Sequence, residues 1–170
     1  MTTNYIYFWK PEDKNGYLSN WHTSPFVKNG ITFKNNEHYF MWKKQQLFDP
    51  TNVTLENKIL ETTNSAVMRT LGRKVKNFNQ TVWDENKYDI MKSGLIEKFL
   101  QNTELKKALL DTKDAILVEA SPYDTIWGIG LNEKDAKIKN WKGENLLGKA
   151  LMDVRLSFIF LEKSIFLEKR

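Results

Sequence analysis

The sequence predicts a mainly α-helical fold with a few short β-strands, organised as a single compact domain over residues 1–170. Apolar residues recur at helical spacing through most of the chain, and runs of β-forming residues are few and short. A length of 170 residues is usual for one domain. The chain has 41% hydrophobic and 28% charged residues and no cysteine. This composition is typical of a globular protein, and it excludes disulfide scaffolds, thiol nucleophiles and cysteine-ligated metals.

The N-terminal part of the chain predicts strands and turns. Tyr5 to Trp9 is a short β-rich run, and a turn cluster follows from Pro11 to Gly16. Between Phe26 and Phe33, β-forming residues flank Asn29-Gly30, a dipeptide that favours the two-residue turn of a β-hairpin.

Six helices are predicted from apolar residues that share one helical face. Gly72 is expected to close the third helix, and Thr103 is expected to cap the fifth. The predicted spans are Asn36–Phe48, Thr51–Leu60, Ser65–Leu71, Trp83–Leu100, Thr103–Leu110 and Asn145–Leu161. Between the last two helices, Ala115–Ala120 is predicted as a buried strand and 121–141 as loop-rich.

The charge and the chain ends favour an ordinary solvated surface. The net charge of +5 is mild, and the lysines are interleaved with acidic residues, whereas a nucleic-acid-binding surface usually carries a clustered basic stripe. The N-terminus has no signal-peptide pattern. The most apolar segment, Leu156–Leu167, is interrupted by charged residues too early to span a bilayer. We therefore expect a cytoplasmic protein with no membrane partner.

Two glycine motifs resemble nucleotide-binding sequences without completing them. The segment from Gly143 to Ala150 lacks the hydroxyl that a P-loop supplies to Mg²⁺, and it follows no buried strand. Trp127-Gly-Ile-Gly130 is followed by Glu133 where the dinucleotide fingerprint requires glycine. His22 and His38 would need carboxylates to complete a metal site. No cofactor and no metal are expected.

Glu37 and Lys44 are the first candidate catalytic residues. They lie seven residues apart on one predicted helix face, beside aromatic side chains. An apolar setting raises the pKa of a carboxyl, which then serves as general acid or base, and a desolvated amine loses its proton and becomes nucleophilic. The structural alternative is that Glu37 favours the helix N-terminus electrostatically and that Lys44 is solvated beside Lys43.

Two further clusters follow the predicted strand. The loop after Glu119 presents Asp124 and Trp127, and loops on a rigid scaffold often carry binding sites. The alternative there is an Asx turn at Asp124 and a packed tryptophan. Asn145 begins the last helix, which carries Arg155. Helix N-termini either bind phosphate or take a capping side chain, so both readings stay open.

A set of short motifs occurs in one order along the chain. They are Leu18-Ser-Asn-Trp21, Glu37-His-Tyr-Phe40 with Lys44, Gly72-Arg-Lys-Val75, Trp83 with Lys87 and Met91, Lys98-Phe99, Leu117-Val-Glu119, Asp124-x-x-Trp127-Gly-x-Gly130, and Gly143-x-Asn145-x-Leu147-Gly148 continuing to Arg155. Together they cover about residues 7–158 and resemble the NADAR family, also called YbiA-like. Each motif alone is weak, but so many in register are specific.

The resemblance implies a compact YbiA-like helical domain that hydrolyses the N-glycosidic bond between a phosphoribose or ADP-ribose and an amino-substituted base. Two substrate classes are associated with such proteins. One is the ribosylamino-pyrimidine intermediates of riboflavin synthesis, and the other is ADP-ribose attached to the exocyclic amine of guanine. Some members act as antitoxins that reverse this second mark. The expected partners are therefore an ADP-ribose or phosphoribosyl small molecule or, for the second class, ADP-ribosylated DNA or RNA.

Carried over by position, the resemblance makes Glu37 the acid and Asp124 a sugar-orienting or second carboxylate. Lys44 becomes the residue that attacks the anomeric carbon and forms a Schiff base with the opened ribose. This chain departs from many relatives at Phe78–Val82. The segment is uncharged here, whereas many relatives have an acid or an arginine before the corresponding tryptophan. The resemblance therefore does not support a substrate contact from this segment. The implied substrate-binding residues are Asn20, Tyr39, Arg73, Trp83, Trp127, Gly128, Asn145 and Arg155.

A non-catalytic module that binds ADP-ribose or NAD is the alternative function, and a structural protein whose aromatic side chains are all core is a third. The aromatic residues bear on this choice. Phe40, Phe99 and Phe158 are core candidates by their helical spacing, whereas Trp83 and Trp127 are candidates to line a sugar–base cleft.

Overall fold

The computed structural model describes residues 3–168. Within that range it contains seven α-helices, four β-strands and a short 3-10 helix. In chain order these are β1 (Tyr5–Phe8), the 3-10 helix (Gly16–Leu18), β2 (Phe26–Lys28), β3 (Ile31–Phe33), α1 (Asn36–Phe48), α2 (Val53–Glu61), α3 (Ser65–Gly72), α4 (Gln80–Gln101), α5 (Thr103–Asp111), β4 (Ile116–Glu119), α6 (Glu133–Ala136) and α7 (Leu146–Glu168).

The predicted fold class, mainly α with a few short strands, is confirmed. All six predicted helices are present, and their bounds differ most at two places. Helix α4 begins at Gln80 rather than Trp83, and α7 continues to Glu168 rather than ending at Leu161. The loop-rich segment contains the four-residue α6. In residues 3–168, no helix has both the length and the apolar character needed to cross a membrane.

Backbone contacts divide the chain into two compact units. The central unit is Asn20–Asn102, and the terminal unit combines the two ends of the chain, 3–19 and 103–168 of the described residues. That residues 1–170 form a single domain stays a prediction.

The terminal unit is built on two parallel strands. β1 pairs with β4 in a register that places Tyr5 opposite Ile116 and Phe8 opposite Glu119. Helix α7 packs against β4 and α5. A buried apolar cluster lies beside the strands and is formed by Val118, Ala120, Ile129, Leu131 and Ala136.

The central unit is built around α1, which packs against α2, α3 and α4. Asn35 caps α1, since its side-chain Oδ1 accepts a hydrogen bond of 3.0 Å from the backbone N–H of His38. The predicted hairpin is confirmed: β2 and β3 are antiparallel, and Asn29 and Gly30 both have positive φ, as a tight hairpin turn requires.

Gly72 has a different role from the one predicted. It does not adopt the left-handed conformation of a helix C-cap, because the central-unit residues with positive φ are Asn29, Gly30 and Asn77. It is instead the last residue of α3, and a Cβ atom placed on it would collide with Sδ of Met41. The glycine therefore allows α3 to lie close to α1.

Candidate active site

Glu37 and Lys44 lie on one face of α1, as their spacing predicts. Glu37 is in the first turn of the helix and is 8% exposed. Its backbone N–H donates a hydrogen bond of 3.2 Å to the carbonyl oxygen of Asn20, which fixes the start of α1. The carboxyl group and the amine are close enough for the charge of Glu37 to act on the pKa of Lys44.

Aromatic rings surround the Lys44 amine. Its Nζ lies 4.5 Å from the ring centroid of Phe78 and 5.5 Å from that of Trp83. Burial lowers the pKa of Lys44 below the usual value for lysine, and the positive charge of Arg73 lowers it further. Glu37 acts in the opposite direction. The net result is a lowered pKa at a half-buried amine, which differs from the fully solvated lysine of the alternative.

Trp83 is the centre of this aromatic cluster and is 8% exposed. Its ring centroid lies 5.0 Å from Phe40, 6.2 Å from Phe48 and 6.5 Å from Phe78. Trp83 is near the start of α4, four residues after the Asn79 cap. The tryptophan therefore presents a fixed ring to Lys44.

Arg73 follows the last residue of α3 and is exposed. Its guanidinium acts electrostatically on Lys44, so a second cation lies near the amine. A guanidinium in this position can bind a phosphate through two parallel hydrogen bonds.

Asn20 is buried and held by a side-chain network. Its Oδ1 accepts a hydrogen bond of 2.9 Å from Nδ2 of Asn36, and both side-chain amides approach Sδ of Met91, at 3.2 Å from Asn20 and 3.0 Å from Asn36. The network ties the loop before the hairpin to α1 and α4, and so supports the backbone that carries Glu37.

Tyr39 points into the core of the central unit. It is 2% exposed, its ring centroid lies 5.2 Å from Phe33, and its hydroxyl donates a hydrogen bond of 3.3 Å to Oγ of Ser93. These contacts describe a packed core tyrosine. Its role in substrate binding stays a prediction.

Asp124 shapes a loop of the terminal unit. Its Oδ1 accepts hydrogen bonds from the backbone N–H groups of Ile126 at 2.9 Å and Trp127 at 2.8 Å, which is the Asx turn considered as the alternative. A Cβ atom on Gly128 would lie 3.0 Å from the carbonyl oxygens of Asp124 and Glu119, so the loop leaves little room for a side chain there. Trp127 is half-buried.

Asn145 and Arg155 are buried and bonded to the fold of the terminal unit. Asn145 bridges the backbone of β4, because its Nδ2 donates to the carbonyl oxygen of Leu117 and its Oδ1 accepts from the N–H of Glu119. Arg155 donates hydrogen bonds of 2.6 Å to Oγ1 of Thr112 and 2.9 Å to the carbonyl oxygen of Ala115. Their implied contacts with substrate stay predictions.

Sequence reasoning missed one residue beside this chemistry, Phe78, and the complete burial of another residue, Lys98. Phe78 belongs to the segment for which no substrate contact was supported, yet it lies against Lys44. Lys98 is fully buried in α4, and burial lowers its pKa to about 7. Asn79, a strong helix-capping residue, could have placed Phe78 next to a helix start. The described residues contain no group of three or more His, Asp or Glu that could hold a metal ion.

Comparison with known proteins decides the family. The model of the NADAR domain matches residues 7–158. The chain belongs to the NADAR family. This match covers the same part of the chain as the motifs, so the predicted resemblance is confirmed.

Relatives with this domain include proteins named as enzymes. The chain is 45% identical over 122 residues to N-glycosidase R617 of Acanthamoeba polyphaga mimivirus, covering 70% of this chain and 71% of that protein. It is 33% identical over 150 residues to riboflavin biosynthesis protein VVA0006 of Vibrio vulnificus, covering 88% of this chain but only 37% of that longer protein. The predicted class of hydrolase, acting on N-glycosidic bonds, agrees with the name of the first relative.

The fold also matches a solved NADAR relative. The NMR structure of the E. coli protein YbiA aligns with a TM-score of 0.78 at 29% sequence identity, covering 95% of this chain and 89% of that one. The YbiA-like helical fold predicted from the motifs is confirmed.

Proposed function

We propose that this protein is an N-glycosidase that hydrolyses the bond between C1′ of a ribose and an amino group of a base. The observation that carries the proposal is the half-buried Lys44 amine, set against Phe78 and Trp83 on the helix face that also holds the buried Glu37. The name of the mimivirus relative supports the same reaction class.

Glu37 and Lys44 divide the first step between them. The neutral Lys44 amine attacks C1′, and the C1′–N bond to the base breaks. The departing nitrogen keeps the bonding electron pair and takes a proton from the Glu37 carboxyl. Positive charge develops at C1′ as this bond breaks, and carboxylates stabilise such charge. Lys44 then passes a proton to the Glu37 carboxylate and remains bonded to C1′.

Water completes the reaction through a Schiff base. The Lys44 nitrogen donates its electron pair to C1′, the bond from C1′ to the ring oxygen breaks, and that oxygen takes a proton from the Glu37 carboxyl. Water adds to the resulting C=N bond. Collapse of the adduct expels the Lys44 amine and leaves an aldehyde at C1′, which closes again to ribose. The overall change is addition of one water molecule across the C1′–N bond.

Other residues of the central unit bind and orient the substrate. Arg73 carries an exposed guanidinium that binds the phosphate of the substrate. Trp83 provides an apolar wall, and Asn20 supports the backbone at Glu37. The role of Tyr39 in substrate binding is proposed from the family resemblance alone. The same holds for the roles of the terminal-unit residues Asp124, Trp127, Gly128, Asn145 and Arg155.

Two substrate classes stay within this proposal. The name of the Vibrio vulnificus relative supports ribosylamino-pyrimidines of riboflavin synthesis. The resemblance adds ADP-ribose on the amine of guanine, in DNA or RNA. The reaction at C1′ is the same for both, because each has an amino nitrogen as its leaving group. A cytoplasmic location is proposed with either class.

Release of the free base tests the proposed function. The purified chain is incubated in parallel with ADP-ribosylated guanine DNA and with the ribosylamino-pyrimidine phosphates, and products are separated by chromatography. We expect turnover of at least one substrate, and its loss in E37Q and K44A. Tight binding of ADP-ribose without turnover in the wild type would instead establish the alternative, a non-catalytic binding module.

A further inference from the structure

Phe78 has an exposed ring beside a half-buried amine. The residue is 41% exposed, yet Nζ of Lys44 lies 4.5 Å from its ring centroid. The ring meets Phe48 at 5.2 Å with an interplanar angle of 65°. Phe78 therefore forms an exposed edge of the aromatic cluster and contacts the amine there.

The backbone on both sides of Phe78 is fixed. Asn77 has a φ of 54°, in the left-handed region, and its Nδ2 donates a hydrogen bond of 3.4 Å to the carbonyl oxygen of Phe48. Asn79 caps α4, because its Oδ1 accepts 3.0 Å from the N–H of Val82. Asparagine adopts the left-handed conformation more readily than other non-glycine residues. The ring is thus held by a defined loop, not by a free segment.

Two physical effects of the ring on the amine oppose each other. A nearby aromatic face attracts the ammonium form. Exclusion of water disfavours the same charged form. Burial is the leading cause of the lowered pKa of Lys44.

We propose that Phe78 is a positioning residue that shields the Lys44 amine from water and holds it against Trp83. The inference rests on the proposed function, since it assigns a residue to the same reaction. The apolar ring keeps the nucleophile desolvated before substrate arrives.

Among the described residues, two charged groups act on the pKa of Lys44. Glu37, on α1, and Arg73, at the end of α3, act on Lys44 with opposite signs. On α4, Asp84 pairs with Lys87, so these two charges largely offset each other near the helix start. On α1, Lys43 lies 5.9 Å from the ring centroid of Trp42.

Trace acetylation with acetic anhydride tests the shield without any substrate. The acetylation rate of Lys44 is measured against pH by mass spectrometry, with Lys43 as the internal reference, in wild type, F78A, F78L and F78Y. We expect the reactivity of Lys44 at pH 7 to fall at least threefold in F78A and to recover at pH 10. F78L and F78Y should stay near wild type, because both keep an apolar cover.

The control variant is F160A, which removes another exposed phenylalanine, on α7, and should change nothing. A parallel shift in the pH profile of kcat/KM for F78A would link the shield to turnover. Unchanged Lys44 reactivity in a folded F78A, or equal loss in F78L, would overturn the inference. If wild type turns over no substrate but Lys44 responds as expected, the proposed function fails while the shield stands.

Discussion

Asn145 donates its side-chain amide to the carbonyl oxygen of Leu117 at 2.9 Å, while its Oδ1 accepts 3.0 Å from the N–H of Glu119. The side chain of a residue just before α7 thereby forms hydrogen bonds with the backbone of β4. Asn145 itself has a φ of 56°, a conformation that asparagine and glycine tolerate best. The side chain that a helix start would use as a cap is used here to hold a strand.

We therefore predict that N145A mainly reduces stability. It removes two buried hydrogen bonds, worth about 1 kcal/mol each, and places alanine in the left-handed region at a cost of about 1–2 kcal/mol. The free energy of unfolding, from urea denaturation, should fall by about 3 kcal/mol in N145A. N145G is the matched control, since glycine carries no backbone strain and should lose less. Wild-type stability in N145A combined with a raised KM would instead place Asn145 in substrate binding.

Two substitutions separate the hydrogen bonds that the Asp124 side chain accepts from the effect of its charge. D124N keeps Oδ1 as an acceptor for the N–H groups of Ile126 and Trp127, so its free energy of unfolding should stay within about 0.5 kcal/mol of wild type. D124A loses the Asx turn and should be less stable by about 1 kcal/mol. If the carboxylate orients the sugar, as the resemblance implies, kcat/KM falls at least tenfold in D124N. Full activity in D124N would limit Asp124 to the loop.

The helices of the central unit could be predicted from sequence, but their starts could not all be placed. Asparagine side chains cap α1, α2, α3 and α4, and this local signal is readable in the sequence. Helix α4 was predicted to begin three residues too late because apolar spacing begins at Trp83, whereas the cap is Asn79. Apolar periodicity indicates which face of a helix is buried, whereas an N-capping residue indicates where the helix begins.

The candidate site was predictable where it depends on one helix. The seven-residue spacing from Glu37 to Lys44 predicts a shared face directly. Phe78 reaches Lys44 from a loop 34 positions further along the chain, and no periodic pattern encodes such a contact. The hydrogen bonds of Asn145 with β4 were not predicted for the same reason, because the strand is distant in sequence.

Lys98 gives a prediction about stability and pH. It is fully buried, and burial lowers its pKa from 10.5 to about 7 in the folded protein. Between these two pKa values the unfolded chain binds the proton and the folded protein does not, so stability increases as pH rises from 7 towards 10. The positive charge of Lys98 also contributes to the lowered pKa of His22.

Urea denaturation of wild type and K98M at several pH values checks this linkage. The wild type should gain on the order of a few kcal/mol relative to K98M between pH 7 and pH 10, since each pKa unit corresponds to about 1.4 kcal/mol. The pH dependence of the wild type alone should have the same sign. Parallel curves for the two proteins would show that Lys98 keeps its usual pKa in the fold.

The central claim is that Lys44 is the nucleophile of an N-glycosidase, and borohydride trapping tests it most directly. The protein is incubated with a substrate that it turns over, treated with borohydride and digested, and its peptides are analysed by mass spectrometry. We predict a reduced ribosyl adduct on Lys44, absent from K44A and from the adjacent Lys43, with E37Q forming it much more slowly. Full turnover by K44A, or turnover in wild type with no adduct on Lys44, would contradict the account.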